Sequence, residues 1–191
     1  GRLVQVIQGA AVLTLVLNVV AMWKMAPRNR TRGHQTNPMR PDFTAAWRTF
    51  VSQGRARTRL AVIGLGTMGF GMADVLLEPY GGQILALSVS ETTRLTATFA
   101  VGGLFGLAVA SRILSRSIEP LLLAGFGAAA GIPAFTLIVM SSWSGSTLIF
   151  VLGTLLIGFG AGMFGHATLT STMRLAPREQ VGLALGAWGA A

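Results

Sequence analysis

From Pro120 to Met173 the chain carries no formally charged side chain, and only the Ser141-Ser142-Trp143-Ser144-Gly145-Ser146 segment interrupts its apolar character. A helix needs about 20 apolar residues to cross a hydrocarbon core. In lipid only helices and closed barrels satisfy every backbone polar group. Five runs fit a helical crossing: Leu3–Trp23, Leu60–Leu77, Leu95–Leu114, Leu121–Met140 and Thr147–Ala167. A sixth begins at Val181–Ala191. The expectation is an all-α, polytopic membrane protein. Composition agrees, at 52% hydrophobic and 11% charged, where a soluble domain is nearer a quarter charged. With no cysteine, disulfides, thiol chemistry and thiolate metal sites are excluded.

The positive charge is placed asymmetrically. The Lys24–Arg59 connection holds nine basic residues and one acid, Asp42; Arg112 and Arg116 fall in the next connection on that side, and Arg174 and Arg178 in the one after. Thirteen of fifteen Lys and Arg thus share one face, cytoplasmic by the positive-inside rule, with Arg2 and Arg94 opposite. The arginines of the long connection (Arg28, Arg30, Arg32, Arg55, Arg57 and Arg59) read as a topology signal beside anionic lipid rather than a nucleic-acid patch. Residues 24–59 are expected to form a basic cytoplasmic linker. Within it, Pro41-Asp42 looks like a helix start, and Phe43, Trp47, Phe50 and Val51 recur at helical spacing. A short amphipathic helix at the membrane interface is expected there. His34 is an ordinary linker residue.

The stretch Leu60–Gln83 is apolar yet contains Asp74 and Glu78, one helical turn apart and so on one face. Acids in a membrane helix are costly and usually face protein or a wet cavity. Pro79 is expected to end this helix, because the residue before a proline is pushed away from αR geometry. Tyr80, Gly81, Gly82 and Gln83 would then form the turn. Gly64, Gly66 and Gly69 also spell G-x-G-x-x-G, with Glu91 about twenty residues on. That fingerprint needs a soluble βαβ setting, which this chain does not supply, so a nicotinamide-dependent enzyme is rejected. No Ser-His-acid set, metal-ligand cluster or phosphate loop is found.

Gly102, Gly106 and Ala110, and Gly158 and Gly162, form small-xxx-small faces suited to helix packing. Gly69-Phe70-Gly71 recurs as Gly158-Phe159-Gly160 three spans later. Three-helix repeats inside a six-helix half are the plan of the major facilitator superfamily. On that plan residues 1–23 correspond to the sixth helix, and residues 60–191 form a C-terminal bundle running from the seventh to the start of the eleventh.

Two segments carry a more specific resemblance. Gly69–Gln83 (G-F-G-M-A-D-V-L-L-E-P-Y-G-G-Q), followed by Thr92-Thr93-Arg94-Leu95-Thr96-Ala97, resembles the signature of the PucC family, including its LhaA branch. So does Gly165–Gly189 (G-H-A-T-L-T-S-T-M-R-L-A-P-R-E-Q-V-G-L-A-L-G-A-W-G). The resemblance covers Arg59 to Ala191, and the first fifty-eight residues only in layout. It implies a major-facilitator-like protein of the bacterial inner, intracytoplasmic photosynthetic membrane. It further implies a role in assembling light-harvesting complexes, docking antenna polypeptides and holding or delivering bacteriochlorophyll, with the reaction-centre core complex as a further partner. Family members have about twelve spans, so this chain reads as part of a longer one. The alternative is a proton-coupled small-molecule transporter, resting on fold analogy and on Asp74 with Glu78.

Two sites follow. Asp74 lies fifteen residues past Arg59, about 22 Å along a helix, in the outer part of the membrane. Asp74, Glu78 and Arg94, with Tyr80 and Gln83, are expected to form one polar cluster, since a paired charge is tolerated where a lone one is not. It serves either a proton or substrate, or simply braces the structure. Glu91 is expected to be a first-turn acid favoured by the helix dipole. His166 is the only histidine in a span. A neutral imidazole is a good metal ligand, and the magnesium of bacteriochlorophyll takes one; Gly162, one turn earlier, would leave the macrocycle room. The competing role is a hydrogen bond to a neighbouring helix or to exposed carbonyls.

Overall fold

The computed structural model describes residues 2–23, 43–52, 56–176 and 181–190, all of whose regular structure is helical. The elements are α1 (Arg2–Trp23), α2 (Phe43–Ser52), α3 (Ala56–Ile84), α4 (Val89–Leu114), α5 (Pro120–Ser144), α6 (Thr147–Leu175) and α7 (Val181–Ala190). Most of the basic connection, including His34, lies outside the described residues, as do Arg178 and Glu179. The chain divides into two units, Gly1–Pro41 and Asp42–Ala191. The first contains α1; the second contains α2 to α7. Helices α3, α4, α5 and α6 are long and apolar enough to cross a membrane.

Within the second unit α6 lies between α4 and α5. Glycine makes this possible. A Cβ on Gly102 would strike the Leu155 carbonyl, one on Gly106 the Phe159 carbonyl, and one on Gly158 the Phe99 carbonyl. On the other flank a Cβ on Gly127 would stand 2.9 Å from the Gly160 oxygen. Both small-xxx-small faces therefore sit at backbone-to-backbone crossings, the arrangement by which membrane helices gain packing without a hydrophobic driving force. Pairing order makes α4 parallel to α6 and α5 antiparallel to it. At the shared end of α4 and α6, Arg174 donates from Nη2 to the Leu114 carbonyl at 3.3 Å.

Two buried clusters fill the second unit. Ala73, Leu77, Leu95, Ala134, Ile138, Phe150 and Ile157 form one; Ala110, Leu114, Leu123, Ala124, Met163, Phe164 and Ala167 form the other. Phe70 packs against both, with its ring 5.7 Å from that of Phe164.

The helix does not end at Pro79. It continues through Pro79 to Ile84, so Tyr80, Gly81, Gly82 and Gln83 are its last turn. Tertiary packing outweighs the local preference: Tyr80 stacks on Phe150 at 5.6 Å, its hydroxyl donates to the Ile138 carbonyl at 3.3 Å, and Gly81 is buried beside Leu87, Phe150 and Leu95. Helix α5 likewise runs through Pro133. The reversal after α3 comes at Leu85–Ser88, where Leu87 N–H donates to the Gly81 carbonyl at 3.1 Å and Ala86 takes φ 51°. Left-handed geometry costs a non-glycine residue about 1–2 kcal/mol, against about 0.5–1 kcal/mol of extra chain entropy for glycine. Ala86→Gly is therefore expected to raise stability by about 0.5–1 kcal/mol, measurable as a higher unfolding midpoint in detergent. Between α5 and α6 the turn is shorter than the serine-rich segment suggests. Ser141–Ser144 is helical, Gly145 caps α5 at φ 62°, and the Ser146 hydroxyl accepts from Ile149 N–H.

Candidate functional site

The polar residues of α3 diverge. Glu78 reaches α4, where its carboxylate accepts a hydrogen bond from the Thr96 hydroxyl. Asp74 lies exposed on α3, on the same side as Glu78 and well round the helix from Met72. Tyr80 points into the bundle, to Ile138 on α5. Arg94 is exposed, and among the described residues no hydrogen bond or ion pair joins it to Asp74 or Glu78. Gln83 is exposed at the end of α3. Glu91 is the N3 residue of α4, accepting from the Ser88 N–H at 2.8 Å and the Ser88 hydroxyl at 2.6 Å. Phase explains the separation: Thr96, two residues past Arg94, is the α4 residue that meets Glu78.

A double-mutant cycle distinguishes these partners. Glu78→Leu and Thr96→Val are expected to be coupled by about 1–2 kcal/mol. Glu78→Leu and Arg94→Leu should add within error. Coupling of Glu78 to Arg94 instead would restore the ion-pair cluster expected from sequence.

His166 is half-buried on α6, and among the described residues its imidazole has no hydrogen-bond partner. Its own carbonyl accepts from the Thr170 hydroxyl at 2.8 Å. The room expected beside Gly162 is not there. A Cβ on Gly162 would collide with the Gly103 carbonyl, so α4 already occupies that space. Gly162 is a helix-crossing residue, and any flat ligand on His166 has to approach from another side. Next to this region Trp188 of α7 donates from Nε1 to the Thr168 hydroxyl at 3.1 Å. Sequence reading had not singled out this contact; an aromatic N–H in an apolar span needing an acceptor was the available signal.

Among the described residues no three His, Cys, Asp or Glu side chains come together to hold a metal ion. The polar groups instead cap helices and bridge them, and with four helices long and apolar enough to cross a membrane the class is a multi-span, all-helical membrane protein. The chain belongs to the PUCC protein family, whose profile matches residues 1–191. It is 56% identical over 190 residues to Protein PucC of Cereibacter sphaeroides, covering 99% of this chain and 41% of that protein. It is also 56% identical over 191 residues to Protein PucC of Rhodovulum sulfidophilum, covering 99% and 42%. A more distant relative, 25% identical over 199 residues, is the "Bacteriochlorophyll synthase 44.5 kDa chain" of Rhodobacter capsulatus, covering 100% and 45%. The chain therefore spans about two fifths of the length of these relatives. No solved structure matches it significantly.

Proposed function

We propose that this chain is part of an assembly factor for light-harvesting antenna complexes, acting in the intracytoplasmic photosynthetic membrane and built on the major-facilitator plan. It docks the membrane helices of antenna polypeptides and holds or delivers bacteriochlorophyll. Family membership supports the setting. The observation that carries the docking role is the uncovered stripe of α3, where Leu65, Met68, Met72 and Val75 are all exposed at helical spacing. Gly69, in the same stripe, has nothing within 4 Å of where a Cβ would stand. Small residues let a partner helix approach closely, and methionine adapts to irregular surfaces.

His166 is the residue proposed to hold the pigment. Bound there, the magnesium macrocycle would supply a chromophore and a cargo. The chain's own part is to present an imidazole from a helix fixed on two sides.

Purification of the full-length protein in mild detergent tests the reading. Co-elution of antenna polypeptides and pigment is expected. Colourless, antenna-free protein that supports proton-linked uptake would replace this reading with the transporter alternative. Orientation is tested separately. With no native cysteine in the chain, Ser144→Cys is expected to react with an impermeant maleimide from the periplasmic side; reaction only from the cytoplasmic side would invert the topology.

A further inference from the structure

The cytoplasmic foot of the second unit holds a notch of about 330 Å³ lined by Thr44, Trp47, Arg48, Val51 and Arg57. The first four lie at i, i+3, i+4 and i+7 of α2, so one face of that helix forms a wall. Phe50 turns inward and is buried, with its ring 6.0 Å from that of Trp47. Arg57 comes from the first turn of α3 and closes the notch from the other helix. Its walls are of two kinds: Trp47 and Val51 are apolar, while Arg48 and Arg57 are cationic and exposed. Among the described residues no carboxylate lines it.

Depth selects the occupant. Arg57 lies three residues before Leu60, where the apolar run of α3 begins, or about 4.5 Å along the helix. The notch therefore sits at the level of lipid headgroups on the arginine-rich face. Tryptophan favours this interfacial zone. A guanidinium grips phosphate oxygens in bidentate fashion, and two of them on separate helices fix the phosphate between them.

We propose that this notch binds the phosphodiester headgroup of an anionic glycerophospholipid of the cytoplasmic leaflet. Arg48 and Arg57 hold the phosphate, while Trp47 and Val51 lie against the glycerol and the first carbons of the acyl chain. The bound lipid ties α2 to the foot of α3. The site does not depend on the antenna reading, only on the arginine-rich face being cytoplasmic.

Native mass spectrometry of the delipidated full-length protein, titrated with phosphatidylglycerol or phosphatidylcholine, tests this. One phosphatidylglycerol is expected to be retained in preference to phosphatidylcholine, and inorganic phosphate at matched concentration should not displace it. Arg48→Gln and Arg57→Gln are each expected to weaken retention about tenfold, as for loss of one charge-assisted hydrogen-bonding group. The Arg112→Gln/Arg116→Gln control on the same face should leave it unchanged. Arg48→Gln/Arg57→Gln together should remove the preference for phosphatidylglycerol; if that double variant fails to fold, Arg48→Lys/Arg57→Lys takes its place and, keeping charge but not the bidentate grip, is expected to show intermediate retention. Equal retention of both lipids overturns the proposal, as does undiminished retention by the double variant or displacement by free phosphate.

Discussion

Gly162→Ala and Gly106→Ala are expected to lower the stability of the folded bundle by about 3 kcal/mol or more, the upper end for overpacking a site that cannot relax. At both positions the added methyl would meet the backbone of the neighbouring helix rather than a side chain able to turn aside. At Gly69 and Gly71, which have open space, the same substitution should stabilise by about 0.5–1 kcal/mol through helix propensity. Gly103→Ala is the sharpest control. Its carbonyl is what a Cβ on Gly162 would strike, yet a Cβ on Gly103 itself would stand an ordinary 3.6 Å from the Gly158 oxygen. It should be close to neutral. Thermal unfolding in detergent reads all five variants, and uniform responses across them would mean that the α4–α6 crossing is not glycine-dependent.

The second large effect concerns His166. If the imidazole is an axial ligand, His166→Leu should purify as folded protein with bound pigment reduced to background. His166→Ala should recover pigment when imidazole is added. Full pigment retention by His166→Leu would end the ligand role and leave the histidine as a polar residue of the α6 surface. Substitution of Gly162 cannot serve as a test, because the space beside it belongs to α4. Loss of pigment there would report loss of the helix crossing.

The main architecture was legible in residues. Runs of apolar side chains marked α3 to α6, the spacing of Phe43, Trp47, Phe50 and Val51 marked α2, and the spaced glycines marked helix crossings. Local rules failed where a distant part of the chain decided the outcome. Pro79 carries a real preference against helix at Glu78, but Tyr80, locked on Phe150 and Ile138 from two other helices, holds the following turn. The Ser141–Ser146 segment looks like one long turn, yet only Gly145 takes the left-handed geometry that ends a helix. The polar cluster required the relative phase of α3 and α4, which no periodicity within either helix contains. Thr96, a residue with no charge to attract notice, became the partner of Glu78. Gly162 shows the same limit. Sequence says that a residue is small, and only the fold says whether a ligand or another helix uses the room.

The contrast between the two kinds of seam in this bundle governs how it can deform. Where α6 meets α4 and α5, glycines bring backbone onto backbone, so one helix can shift past another only against the main chain of its neighbour. Those three helices should therefore displace as a single slab. Helix α3 meets the slab through rings and long side chains, Phe70 on Phe164, Tyr80 on Phe150 and Glu78 on Thr96, which can re-choose their conformations in the small sliding steps of shear motion. Compliance is thus concentrated along one helix. That helix carries the open methionine-lined stripe, so a guest helix docking there would press on the softest joint in the bundle and would be felt first at the Tyr80 hydroxyl.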